Sequence, residues 1–130
     1  MYKSLLLSLI IFLSITFYAF SVVPDVKPEQ FTGTWIAKDE VIEKIWVIKA
    51  VTSNFGTLTI YDTAGEVEAK FTWEYYTENV YLFNNDHGYF MYYVYFLDKD
   101  TRRLRNYKDV TDQFELYKIS DSQSGFPQNY

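Results

Sequence analysis

The side chains able to do chemistry in this chain are carboxylates, arginines, tyrosines and a single histidine. Close acid pairs stand at Asp39 and Glu40, Glu66 and Glu68, and Asp98 and Asp100. Two neighbouring acids are what glycoside hydrolysis uses, one donating a proton and the other acting as base or nucleophile. Each pair here falls in a turn or on a charged strand face, where a solvated acid needs no catalytic role. His87 lies in the turn sequence Asn84-Asn85-Asp86-His87-Gly88, and a lone histidine does not make a zinc ligand set. Asp98-Lys99-Asp100-Thr101 has too few oxygen ligands for a dedicated calcium loop and reads as a hairpin turn. The absence of cysteine removes thiolate metal sites, cysteine nucleophiles and disulfide frameworks. Nucleophile-elbow, Gly-rich phosphate-loop and metal-type histidine motifs are missing as well. The expectation is a protein that is not an enzyme and takes neither cofactor nor metal.

Arg102-Arg103-Leu104-Arg105 is the one basic cluster. In a strand Arg103 and Arg105 share a face with Tyr107 while Leu104 points the other way. Facing outward, they would pair with Glu66, Glu68 or Glu74 across the sheet. Facing inward, they would form a clamp for a carboxylate-headed ligand. Both arginines are therefore kept as candidate ligand-binding residues, with their facing open. The net charge of −5 repels phosphate backbones, so a nucleic-acid partner is not expected.

Aromatic residues make up 21% of the chain, with 13 Tyr and 11 Phe, and these types favour pleated, half-buried surfaces over helices. Between Gly33 and Ile119 the hydrophobic period is two. The clearest run sets Val67, Ala69, Phe71 and Trp73 on one face, with Glu66, Glu68, Lys70, Thr72 and Glu74 on the other. Further strands are predicted at Thr34 to Ala37, Lys44 to Val51, Thr57 to Tyr61 and Asn79 to Phe83. Three more follow at Tyr89 to Leu97, Arg103 to Tyr107 and Gln113 to Ile119. Gly, Asn and Asp in the intervening segments suit tight antiparallel turns. Eight short strands without room for crossover helices imply an all-β, antiparallel up-and-down barrel. Tyr89 to Leu97 breaks the alternation: Phe90, Tyr92, Val94 and Phe96 form one face, and Tyr89, Met91, Tyr93, Tyr95 and Leu97 the other. The second face is either covered or is a surface for a partner.

The N-terminus carries Lys3, an apolar run from Leu5 to Phe20, and small residues at Ala19 and Ser21, the three-part pattern of a secretory signal. Residues 1–21 are thus expected to be a signal peptide, with an uncleaved anchor as the rival. The expected order continues with an extended lead-in at 22–29, a barrel at 30–119 and a flexible polar tail at 120–130. The location implied is secreted or periplasmic, with no stable membrane span after cleavage.

Phe31-Thr32-Gly33-Thr34-Trp35 opens the first strand and resembles the Gly-x-Trp signature of the lipocalin and fatty-acid-binding protein group. The resemblance implies an eight-stranded barrel whose tryptophan closes the floor, and a basic side chain from the last strand packed across it. Lys118 stands at that place, with Arg105 as a substitute. The group's second loop motif is not found here. By this resemblance the interior would hold a small apolar or amphipathic ligand, lined by Trp35, Phe71, Trp73, Phe90, Tyr92 and Phe96 together with Arg103 and Arg105. The alternative is a protein-interaction module with a filled core, using Tyr89, Tyr93 and Tyr95 to contact a protein partner or form a homodimer.

Overall fold

The computed structural model describes residues 26–38, 41–97, 101–109 and 111–128. The signal segment and the pairs Asp39/Glu40 and Asp98/Asp100 lie outside these residues. The described chain begins with a lead-in and a one-turn helix, α1 (Pro28–Phe31), followed by eight strands. They are β1 (Gly33–Lys38), β2 (Glu43–Ala50), β3 (Phe55–Tyr61), β4 (Val67–Thr77), β5 (Val80–Asn85), β6 (Gly88–Phe96), β7 (Arg103–Asp109) and β8 (Asp112–Ser120). Each strand pairs antiparallel with its neighbours in sequence, and β8 pairs back onto β1, so the sheet is a closed up-and-down barrel. This is the all-β architecture that the period-two pattern and the lipocalin resemblance imply, and closure leaves no unpaired strand edge.

Glycine permits the closure at the β1 end. Gly33 has φ +131°, and a Cβ there would lie 2.7 Å from the Ser120 carbonyl oxygen, so a side chain would push β1 off β8. Two residues on, Trp35 pairs with Trp46 of β2 and Lys118 of β8. Its ring is fully buried, and the indole Nε1 donates to the Phe31 carbonyl at 2.9 Å. Phe31 is itself buried, 4.5 Å from the Tyr81 ring and 5.7 Å edge-on to Trp73. The Tyr81 hydroxyl donates to the Val26 carbonyl at 2.6 Å, and Trp73 Nε1 donates to Lys49 O at 2.9 Å. The lead-in and α1 thus plug one end of the barrel with rings whose polar atoms are satisfied by backbone.

The polar segment after β8, which its composition suggests would fray, touches β1, β2 and β3 through Ser122, Gln123 and Phe126. Thr34 Oγ1 donates to Ser122 O at 2.8 Å, the Ala50 amide donates to Gln123 Oε1 at 2.8 Å, and Phe126 stacks edge-on with Tyr61 at 5.5 Å. Thr34 and Tyr61 are the cross-strand neighbours of Val47 and Ile45. That placement explains why Ile45 and Val47, which alternate with the inward Trp46 and Ile48, are buried as well.

Candidate functional site

Among the described residues the end opposite α1 is open. The last residues of β1, β3, β5 and β7 and the first of β2, β4, β6 and β8 lie at this end, and a cavity of about 340 Å³ enters the barrel there. Five aromatic side chains line it, Trp46 on β2, Phe71 on β4, Phe83 on β5, Tyr92 on β6 and Phe114 on β8. The rings brace one another: Trp46 and Phe114 are 5.6 Å apart, and Phe83 and Tyr92 5.0 Å. Ile42, Leu58, Ile60 and Ala69 complete the apolar wall. Space remains at this end because β4 presents Ala69 above the larger Phe71 and Trp73, and the one described helix, α1, lies at the other end.

Polar groups at the site are few. Lys44 and Glu68 line the mouth and pair with each other. Glu68 reaches it through a register shift: Ile60 pairs with Ala69 but Tyr61 with Val67, so Glu68 is the extra residue of a bulge. Bulges re-aim side chains in this way. The same shift places Val67, expected on the core face, at 50% exposure. Tyr92 donates its hydroxyl to Asp112 Oδ2 at 2.7 Å. Burial, reinforced by that bond and by the charges of Asp112 and Asp109, pushes its pKa well above the ordinary tyrosine value. Asn106 projects from β7 between Val94 and Phe114, is buried, and has no hydrogen-bond partner for its Oδ1.

Of the residues singled out from sequence, Phe71 and Tyr92 line the cavity, while Trp35, Trp73 and Phe96 sit in the packed core. Phe90 is partly buried near the rim, with Lys108 Nζ 4.9 Å from its ring centroid. Arg103 and Arg105 are not interior residues. Leu104 is fully buried, which turns both arginines outward, where their guanidinium groups lie 3.5 and 3.3 Å from Glu115. The anion clamp is therefore not formed. The partner acid is Glu115, directly across from Arg105, and not Glu66, Glu68 or Glu74. Tyr89 and Tyr93 face solvent at 74% and 52% exposure. Tyr95 lies beside Arg105, whose pKa is raised first by a hydrogen bond with that tyrosine.

Sequence reasoning missed Trp46, Phe83, Phe114 and Asn106. The first three alternate with outward residues in their strands and were open to discovery by the same period-two reading. Asn106 shares the face of Leu104 two positions away, a signal that becomes usable only once Leu104 is known to face inward. Among the described residues no cluster of three metal-ligating side chains occurs, and no helix is long and apolar enough to cross a membrane. Comparison with protein-family models, curated proteins and solved structures returns no match.

Proposed function

We propose that this chain is an exported, non-catalytic binding protein that holds one small apolar or amphipathic molecule in the open end of its barrel. The observation that carries the reading is the aromatic cavity of about 340 Å³, with one end plugged and the other open. Ligand pockets span roughly 300–1,000 Å³, so this one takes a small molecule. At about 30 Å³ for a water-sized group, its occupant has on the order of ten heavy atoms. A long-chain lipid does not fit within it. Export rests on the N-terminal signal pattern.

The test is native mass spectrometry of the whole chain purified without delipidation, paired with the variant Ala69→Phe. A retained small-molecule adduct that Ala69→Phe abolishes supports the reading. An adduct that survives filling of the cavity, or a cavity that binds nothing from an extract of the producing cells, sinks it.

A second reading has its own observation. The chain's own tail touches β1, β2 and β3, whereas the outer face of β6 exposes Tyr89, Met91 and Tyr93. Across the sheet Leu82 pairs with Met91, and Tyr107 with Tyr93. On this reading the face contacts a protein partner or a second copy, although the filled core that accompanied the idea applies only to the plugged end. Self-association that is lost in Tyr93→Ser with Tyr95→Ser would favour it.

A further inference from the structure

We infer that the cavity selects an uncharged ligand whose hydrogen-bond donor, a hydroxyl or an N–H, meets Asn106 Oδ1 while a ring-sized apolar body fills the aromatic wall. The inference rests on the binding role proposed above and specifies its ligand class.

Three observations converge on it. Asn106 is only 2% exposed, lines the cavity, and is the one residue among those described with a buried side-chain polar atom lacking any partner. Buried polar groups are nearly always paired, and an orphaned one in a native fold calls for an explanation. A ligand donor supplies the partner that the protein does not. Second, no described cation is positioned to receive an anionic head inside the barrel. Arg103 and Arg105 are outside with Glu115, and Lys44 at the mouth is already paired with Glu68. A carboxylate would also bring its negative oxygens toward an acceptor, Asn106 Oδ1, in surroundings of low dielectric, where such repulsion is strong. Third, the neighbouring tyrosine is committed elsewhere: the Tyr92 hydroxyl donates to Asp112, so it does not satisfy Asn106. A ligand lacking a donor leaves Oδ1 unpaired, which is the basis of discrimination by hydrogen-bonding sites.

The experiment uses the whole chain and three matched probes: para-propylphenol, its methyl ether, and para-propylbenzoate. The three share one ring and tail and differ in presenting a donor, an acceptor alone, or an anion. Affinities are measured by calorimetry for wild type, Asn106→Leu and Ala69→Phe. The expected result is that the phenol binds wild type about tenfold more tightly than the ether. Asn106→Leu should bring the two together, and Ala69→Phe should abolish both. Equal binding of phenol and ether by wild type, an unchanged ratio in Asn106→Leu, or tightest binding of the benzoate overturns the donor inference while leaving a binding cavity. No binding of any probe overturns the inference and the cavity reading together. The wild-type ratio decides the matter even if Asn106→Leu does not fold, and Asn106→Thr, smaller and able to keep an acceptor oxygen, serves as the second variant.

Discussion

Lys118 Nζ lies 5.2 Å from the centroid of the Trp35 ring, so a cation from the last strand covers the indole of the first. The same ammonium donates to Gln30 O at 3.2 Å and pairs with Asp121 at 3.0 Å. One side chain therefore joins α1, β1 and β8 where the barrel closes.

Replacing Lys118 with Met keeps the aliphatic stem over the indole but removes the charge. The cation–π contact and the bond to Gln30 predict a loss of about 1–2 kcal/mol in urea unfolding at neutral pH. The acid limb should change too. The hydrogen bond from Lys118, with its charge and that of Arg102, holds the Asp121 carboxyl below its ordinary value. A depressed folded-state value means stability that is complete above about pH 4 and is lost as pH falls through the folded-state pKa. Lys118→Met should therefore flatten the fall in stability below pH 4. An unchanged acid limb would contradict the assignment.

Phe31 tests the division of labour between the two ends. Phe31→Ala removes the ring that fills the plugged end, and large-to-small changes at fully buried aromatics cost about 3–5 kcal/mol. Because the cavity opens at the other end and Phe31 does not line it, probe affinity at temperatures where the variant stays folded should match wild type. A large drop in affinity without loss of structure would show that the two ends are not independent.

Tyr92 predicts behaviour in alkali. Its folded-state pKa is raised, first by burial and then by Asp112, above an unfolded value of about 10. The stabilisation is therefore full below pH 10. Above it the unfolded chain gives up the proton while the folded chain retains it, and stability declines as pH rises toward the folded-state value. Tyr92→Phe should show a shallower alkaline decline in thermal midpoint than wild type. Parallel profiles for the two proteins between pH 9 and 11, roughly spanning that unfolded value, would count against the coupling.

The sequence by itself determined the class of fold. Period-two hydrophobicity, Gly/Asn/Asp turns and eight segments too close for crossovers leave little besides an antiparallel meander, because side-chain alternation and turn chemistry are local properties. It also determined the floor: Gly33, Trp35 and Lys118 occupy the positions read for them, since a glycine bend and a large ring leave few alternatives. Tertiary structure decided the rest. Facing depends on register, and a single extra residue reverses it, which is why Val67 turns outward and Glu68 reaches the mouth. Strand period says that Arg103 and Leu104 point oppositely, but only the packing of Leu104 against the core chooses which is inside. Asn106 follows from that choice, and its missing partner is the sum of what every neighbouring strand fails to offer. The open end likewise belongs to no segment of sequence: it is the space left where Ala69 replaces a ring and the lead-in plugs the opposite end.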